Sequence, residues 1–255
     1  MATSTPFPNR SHRESMTDRG KQTHRQDLTP LLHARSVAIV GISQLPRFGG
    51  WVYKNLHDFG YQGKIFGVNP RYTTLYDQPC YASLRDLPER PDCAVLAIPN
   101  ERLLAALDEA AELSISAAVI FSSAHSDPAP SGGQPSLQDK LAEVARANGM
   151  AICGPNCMGF HAFGQKLVVS GYPVTPGTAS GGVAFITHSG SVFDAFWQNT
   201  RGVRFNYVIS SGNEIVTTMA DYMQFALDDP TTRVVALFLE TIRDPATFVA
   251  ALSEA

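Results

Sequence analysis

The feature that most constrains the fold is a short apolar run that passes through a turn of small residues into a second apolar segment. Residues 183–186 are Val-Ala-Phe-Ile, residues 187–191 are Thr-His-Ser-Gly-Ser, and residues 192–197 are Val-Phe-Asp-Ala-Phe-Trp. This pattern predicts a buried strand, a tight turn and the start of a helix. Such a turn leaves backbone N–H groups free at the positive end of the helix dipole, where phosphate can bind. The candidate phosphate-binding residues are Ser189, Gly190 and Ser191.

A second turn of the same kind lies upstream, where apolar residues 37–40 lead into Gly41-Ile42-Ser43. From there short apolar runs alternate with helical segments, which predicts an α/β fold with a parallel sheet and helices on both faces. The predicted strands are 37–40, 64–68, 93–98, 117–121 and 150–153, and the predicted helices are 49–59, 101–113 and 137–148.

A second α/β unit follows residues 161–181, which we interpret as a linker because they contain Gly and Pro and few periodic apolar residues. Its predicted strands are 183–187, 205–209 and 234–239, and its predicted helices are 191–200 and 218–227. Three parallel strands would leave an uncovered edge, and units of this kind usually have five strands. We therefore expect the second unit to be incomplete and the chain to be a fragment or a truncated product.

The predicted organisation is an extension over residues 1–27, a first α/β unit over 28–160, the linker over 161–181 and the second unit over 182–255. In residues 1–27 the only bulky apolar residues after Met1 are Phe7 and Met16, which predicts disorder. Basic residues outnumber acidic ones there, as in a transit peptide, but an amphipathic apolar face is missing.

The overall composition excludes several classes of function. The apolar fraction of 44% supports a real core, and the net charge of −3 argues against a nucleic-acid or polybasic membrane surface. No apolar run approaches the ~18 residues of a membrane span. The four cysteines form no CxxC pair and have no histidines at zinc spacing, so we expect no metal site and a cytoplasmic location with reduced thiols.

The strand ends of the first unit predict a cofactor site, because ligands of parallel sheets bind outside the carboxyl ends of the strands. The second strand ends in Val68-Asn69-Pro70-Arg71, without the acid that an NAD ribose prefers. Arg71 would suit a ribose that carries its own phosphate, as in CoA or NADP, or it could be an ordinary surface charge. The other ends could hold adenine, diphosphate and pantetheine, or could be plain turn chemistry. The candidate residues are Gly41, Ser43, Asn69, Arg71, Ile98, Pro99, Ser122, Asn156 and Cys157.

Two titratable residues stand at strand ends of the second unit. His188 lies in the phosphate turn, but His188-Ser189-Gly190 does not supply the G-x-S-x-G elbow of a serine hydrolase. We therefore interpret His188 as a turn residue or phosphate donor rather than a nucleophile. Glu240 ends the last strand, where it could orient a histidine or face water.

Together these motifs resemble the nucleoside-diphosphate-forming acyl-CoA synthetases, the superfamily of the succinyl-CoA ligase alpha subunit. The resemblance runs from about Leu28 to Ala255. It rests on Arg35–Gly41 (RSVAIVG), Val68–Tyr72 (VNPRY), Gly154–Gly159 (GPNCMG), His188–Ser191 (HSGS), Ser211–Glu214 (SGNE) and Asp228–Val234 (DDPTTRV). It implies a Rossmann-like CoA-binding domain followed by a flavodoxin-like domain.

The resemblance also implies a reaction, in which an acyl phosphate forms, a histidine takes the phosphoryl group and CoA captures the acyl group. The family's Ser-Gln-Ser-Gly turn looks like residues 187–190 and would serve the phosphohistidine, while Glu240 falls on the acid that orients it. His188 stands where the family has Gln, and the family's phosphorylated histidine lies beyond the equivalent of Ala255. We therefore expect the chain alone to be inactive, with ATP and Mg²⁺ entering only through an absent ATP-grasp portion.

The expected partners are CoA, a small carboxylic acid, and a C-terminal portion or an ATP-grasp beta subunit, in a homo- or hetero-oligomer that needs neither nucleic acid nor membrane. Two alternatives belong to other classes. One is a non-enzymatic module that senses CoA or nucleotides. The other is an NADP-dependent oxidoreductase, although the first turn is not GxGxxG.

Overall fold

The computed structural model describes residues 25–125 and 133–255. The disorder predicted for residues 1–24 lies outside these ranges. For residues 25–27 the prediction is wrong, because they contact the rest of the chain. Arg25 forms ion pairs with Asp228 at 2.9 Å and Glu254 at 3.0 Å, and the Gln26 side chain donates to the Met150 carbonyl at 3.3 Å.

The first unit is built on a nearly all-parallel sheet. Its strands are β1 (Ser36–Val40), β2 (Lys64–Val68), β3 (Thr74–Leu75), β4 (Gln78–Tyr81), β5 (Cys93–Leu96), β6 (Ala117–Ile120) and β7 (Ala151–Cys153). In the described residues these seven strands run in the order β3-β4-β2-β1-β5-β6-β7, with only β3 antiparallel to its neighbour. β5, β6 and β7 are buried along their whole length, as apolar strands of a covered parallel sheet are. The five strands predicted for this unit are confirmed, and β3 and β4 were missed.

Four helices belong to this unit: α1 (Thr29–Leu32), α2 (Phe48–Asp58), α3 (Leu103–Glu112) and α4 (Leu137–Ala147). Short 3-10 turns cover Leu84–Asp86 and Asn100–Arg102. The helix predicted over 101–113 therefore begins with a 3-10 turn before α3. Within the described part of the chain, no helix has the length and apolar character needed to cross a membrane.

The second unit has a mixed sheet. Its strands are β8 (Gly159–Ala162), β9 (Leu167–Ser170), β10 (Val183–Thr187), β11 (Phe205–Ser210) and β12 (Val234–Phe238), and its helices are α5 (Gly190–Trp197), α6 (Met219–Asp228) and α7 (Pro245–Glu254). The strand order in the described chain is β12-β10-β11-β8-β9. β10, β11 and β12 are parallel, whereas β8 runs antiparallel to both β11 and β9.

The linker predicted over 161–181 is wrong for its first half, because β8 and β9 form a hairpin there. All eight strand residues are buried, so the hairpin contributes to the core rather than spanning two units. With the hairpin, the second sheet has five strands instead of the predicted three. The expectation of an incomplete unit was based on the count of three and loses that support.

The two units share one continuous core. Val37 and Ile39 of β1 belong to the same buried cluster as Ile186 of β10 and Ile209 of β11. A buried amide reinforces this contact: Asn55 of α2 donates to the carbonyls of residues 170 and 172 and accepts from the N–H of residue 174. The carboxyl ends of the strands in the first sheet therefore keep a fixed position relative to those of the second sheet.

Candidate functional site

A cleft of about 790 Å³ opens at the carboxyl ends of β1, β2, β5 and β6. The chain leaves β1 toward β2 on one side and returns to β5 on the other, so the cleft lies at the switch point where parallel sheets bind ligands. Seven of the nine residues predicted for the cofactor line it: Gly41, Ser43, Asn69, Arg71, Ile98, Pro99 and Ser122.

The floor of the cleft is a close contact between the β1 turn and the start of α2. Gly41 has φ +89°, and a Cβ there would lie 2.4 Å from the Ala97 carbonyl oxygen. A Cβ on Gly49 would lie 2.5 Å from the Gly41 carbonyl oxygen. This approach places the N-terminus of α2 at the cleft, where the N–H groups of Phe48 and Gly49 find no acceptor in the described chain. The positive end of the helix dipole can therefore face an anion.

Asn69 organises two of the turns. Its side-chain amide donates to the Ile42 carbonyl at 2.8 Å, and its Oδ1 accepts the N–H of Arg71 at 3.1 Å. The Ser43 carbonyl in turn accepts the hydroxyl of Tyr76 at 2.8 Å. Asn69 thus positions the backbone that carries Arg71.

The cleft carries more positive charge than the sequence analysis predicted. Arg47 and Arg102 line it together with Arg71, and none of the three forms an ion pair within the described residues. Two acids, Glu101 and Glu109, also line the cleft, and the Glu109 carboxylate accepts the N–H of Arg85 and lies 3.7 Å from that guanidinium. Arg47 and Arg102 were missed, although each directly precedes a helix that opens at a strand end.

A buried side-chain oxygen in the cleft also lacks a partner in the described residues. The Ser122 Oγ is buried and forms no hydrogen bond within the ranges that the structure describes. A buried hydroxyl without a partner costs free energy, which a ligand group would recover. Ser122 is therefore suited to contact a bound molecule.

Cys157 and Asn156, which were also predicted for the cofactor, do not line this cleft. Cys157 is only 2% exposed, and its thiol points into the core toward the Ile120 carbonyl at 3.4 Å. Asn156 donates its N–H to the Ser122 carbonyl at 2.9 Å, while its side chain donates to Oδ1 of Asn213 at 3.3 Å. The turn packs between the two sheets, so Asn156 joins them beside the cleft instead of lining it.

The turn after β10 has the predicted helix N-terminus. Ser189 caps α5 by accepting the N–H of Val192 at 3.3 Å. The prediction of three free N–H groups is corrected at Ser189, because its N–H donates to Oγ1 of Thr187 at 3.0 Å. The N–H groups of Gly190 and Ser191 have no acceptor in the described residues, so they remain available to an anion.

The acid whose carboxylate lies beside the turn is Glu214, which was not among the predicted site residues. Glu240 has an exposed side chain, and only its backbone N–H reaches the turn, donating to Nδ1 of His188 at 3.1 Å. The buried acid is Glu214, whose Oε1 lies 3.0 Å from Nε2 of His188. Burial raises the pKa of Glu214. The sequence signal for Glu214 was its place after β11, beside the β10 turn.

Comparisons with known proteins agree with this geometry. Residues 35–162 match the family model of the CoA binding domain, and residues 180–255 match that of the succinyl-CoA ligase like flavodoxin domain. A trans-feruloyl-CoA synthase from an unknown prokaryotic organism is 31% identical over 90% of this chain and 33% of its own length. The alpha subunit of acetate–CoA ligase (ADP-forming) I from Pyrococcus furiosus is 30% identical over 89% of this chain and 50% of its own length.

A solved structure shows the same fold. The dinucleotide-forming acetyl-coenzyme A synthetase 1 of Candidatus Korarchaeum cryptofilum, in complex with phosphate and ADP, superposes with a TM-score of 0.81 and 28% identity over 89% of this chain and 49% of that one. The chain thus spans about a third to a half of the relatives it matches. The matches confirm the predicted α/β fold and the resemblance to the nucleoside-diphosphate-forming acyl-CoA synthetases. Because residues 35–162 make up half of its length, the chain belongs to the CoA-binding-domain family.

Proposed function

We propose that this chain is the CoA-binding portion of a nucleoside-diphosphate-forming acid–CoA ligase. The observation that carries the proposal is the cleft at the switch point of the first sheet, with three arginines that have no carboxylate partner in the described chain. CoA carries a diphosphate and a 3′-phosphate, and arginines bind such groups by charge-assisted hydrogen bonds.

The residues of the cleft fit the parts of CoA. The N-terminus of α2 above Gly41 suits the diphosphate, and Arg71 suits the ribose phosphate. Ser122, Ile98 and Pro99 offer a hydroxyl and apolar surface for the adenine or the pantetheine. When bound, CoA supplies the thiol that takes the acyl group.

The turn after β10 is proposed to hold the phosphoryl group. Gly190 and Ser191 present N–H groups without acceptors in the described chain, at the start of an eight-residue helix. The phosphorylated histidine comes from outside this chain. Glu240, whose side chain is exposed at the neighbouring strand end, would orient that histidine.

The proposed complete enzyme makes acyl-CoA from a carboxylic acid, CoA and ATP. ATP and Mg²⁺ would be bound by an ATP-grasp portion, either a further segment or a beta subunit, and one relative is itself named as an alpha subunit. We propose an oligomeric assembly in the cytoplasm, and the four cysteines without a disulfide agree with a reducing compartment.

A calorimetric titration of the chain with CoA and with dephospho-CoA, which lacks the 3′-phosphate, tests the cleft. We expect CoA to bind more tightly than dephospho-CoA. Arg71→Met should remove most of that difference, a loss of about 10- to 100-fold for one charged hydrogen bond. Arg90→Met is the matched control, because Arg90 is exposed and does not line the cleft.

Two results would contradict the proposal. If Arg71→Met and Arg90→Met bind both ligands like the unmodified chain, Arg71 is an ordinary surface charge. If NADPH binds more tightly than CoA, the oxidoreductase alternative is favoured instead. A chain that binds CoA but gains no ligase activity with any ATP-grasp partner would favour the sensing module.

A further inference from the structure

The ends of the three parallel strands of the second sheet meet at one buried imidazole. His188 follows β10 and is 8% exposed. Its Nδ1 accepts the N–H of Glu240, which follows β12, at 3.1 Å, and its Nε2 lies 3.0 Å from Oε1 of Glu214, which follows β11. β10 lies between β11 and β12 in the sheet, so the ring bridges both neighbours of its own strand.

These contacts determine which nitrogen carries the hydrogen. A backbone N–H can donate only to a ring nitrogen that has no hydrogen of its own. Nδ1 of His188 is therefore the acceptor, and Nε2 carries the hydrogen. Nε2 lies 3.0 Å from Oε1 of Glu214, but its N–H is not aligned with that oxygen for a hydrogen bond, so the contact is electrostatic. A carboxylate beside one ring nitrogen fixes the tautomer, and thereby the acceptor that the other nitrogen offers.

We propose that His188 and Glu214 are positioning residues of the phosphate turn, with Glu214 fixing the His188 tautomer and His188 holding the Glu240 loop. The proposal rests on the phosphate role proposed above for Gly190 and Ser191. His188 itself does not act as a base, because Nδ1 already accepts the N–H of Glu240 and Nε2 carries the hydrogen. The site thus needs at position 188 a side chain with one acceptor and one donor.

Glu214 is suited to this role because it is inaccessible to bulk solvent. Its side chain is fully buried and that of His188 is 4% exposed, so water cannot replace either partner without opening the strand ends. A buried polar group that loses its partner pays the full cost of desolvation. The pair therefore holds the loop more firmly than an exposed contact would.

Amide hydrogen exchange in the full chain tests the positioning directly. The Glu240 amide should exchange slowly in the unmodified chain. In His188→Leu, which has no acceptor, it should exchange about tenfold faster, as expected for the loss of one hydrogen bond. In His188→Gln it should stay slow, because the Gln carboxamide offers one acceptor and one donor. The Ser211 amide, which donates to the Thr187 carbonyl at 2.9 Å, is the internal control and should not change.

Nitrogen-15 NMR of the histidine side chains tests the tautomer without any variant. We expect Nε2 protonated and Nδ1 unprotonated for His188, and a mixture of tautomers in Glu214→Leu. A hydrogen on Nδ1 in the unmodified chain would overturn the proposal, and this measurement holds even if His188→Leu fails to fold.

Titration with inorganic phosphate links the pair to the site. We expect binding about tenfold weaker in His188→Leu and within about threefold of the unmodified chain in His188→Gln. Equal phosphate binding and equal Glu240 exchange in all three proteins would overturn the positioning role. If the unmodified chain binds no phosphate while Glu240 exchange follows the expected order, the phosphate role of the turn fails and the positioning of Glu240 stands.

Discussion

At the scale of single residues, Gly41 sets the shape of the CoA cleft. Its φ of +89° is unfavourable for other residues, and a Cβ would lie 2.4 Å from the Ala97 carbonyl oxygen. Gly41→Ala should therefore lower the free energy of unfolding by about 3 kcal/mol, from backbone strain and from overpacking together. Urea unfolding and a CoA titration of the variant measure the two effects.

Gly149→Ala provides the control for Gly41→Ala. Gly149 also has a positive φ, +61°, but a Cβ there would meet nothing within 4 Å. The expected loss is about 1 kcal/mol, with CoA affinity unchanged. Equal losses in both variants would show that the contact with Ala97 carries no cost.

Burial of His161 should make the free energy of unfolding depend on pH. It is fully buried in β8 among Phe163, Phe193 and Trp197, and burial lowers its pKa from 6.5 to about 3. As the pH falls below 6.5, the unfolded chain takes up a proton that the folded chain does not, so folding stability decreases. Between pH 6.5 and pH 5 the loss should be about 2 kcal/mol.

His161→Leu cannot take up that proton, so its stability should fall less steeply with pH by the same amount. Urea unfolding at several pH values measures the difference between the two proteins. Parallel pH profiles would mean that His161 keeps its ordinary pKa in the folded chain.

The sequence correctly predicted cleft residues that lie at the carboxyl end of a strand. It did not predict contacts that depend on how side chains of different strands pack together. Gly41, Arg71 and Ser122 line the cleft because parallel strands present their carboxyl ends together. Cys157 follows a strand as well, but its thiol faces the core. Glu214 could not be paired with His188 in advance, because their contact spans 26 residues and depends on the register of β10 and β11.

At the scale of elements, a capping box stands at the start of α6. The N–H of Thr218 donates to the Asp221 carboxylate at 2.7 Å, and the hydroxyl donates to it at 2.8 Å. Thr218→Ala should cost about 1 kcal/mol of unfolding free energy, since the Asp221 carboxylate loses the hydrogen bond from the Thr218 hydroxyl. Thr218→Ser keeps the hydroxyl and should cost much less; a similar loss in both, measured by urea unfolding, would locate the effect in the methyl group.

The hairpin of β8 and β9 shows which elements are hard to predict. Its strands have only four residues each and are joined by a 3-10 turn that ends at Lys166 with φ +53°. Short apolar runs bounded by glycines fit both a linker and a buried strand. β8 is a strand because it pairs with β11, and this pairing depends on residues far away in the sequence.

At the scale of the whole molecule, the shared core predicts that the two units unfold together. The chain has one tryptophan in each unit, Trp51 in α2 and Trp197 in α5. Trp51→Phe and Trp197→Phe therefore give fluorescence probes of the second and first unit in turn. We expect the same urea midpoint from both probes, whereas separate midpoints would show that the shared cluster does not couple the units.

Asn55 is expected to be central to this coupling. Asn55→Ala removes the side-chain amide and leaves three backbone groups of the second unit without partners. The free energy of unfolding should fall by about 3 kcal/mol, and the two urea midpoints should separate. Asn199→Ala is the matched control, because Asn199 also makes three hydrogen bonds to backbone, all within its own loop. That control should cost about 1 kcal/mol and leave the midpoints together.

The contact between Met158 and Gly190 has a consequence for how such chains diverge. A Cβ on Gly190 would lie 2.7 Å from Cγ of Met158, so the size of one side chain limits the size of the other. Position 158 belongs to the turn that joins the cleft to the second sheet, and position 190 opens the phosphate turn. Over evolutionary time the two positions should change as a pair, with Ala or Ser at 190 accompanied by a smaller side chain at 158.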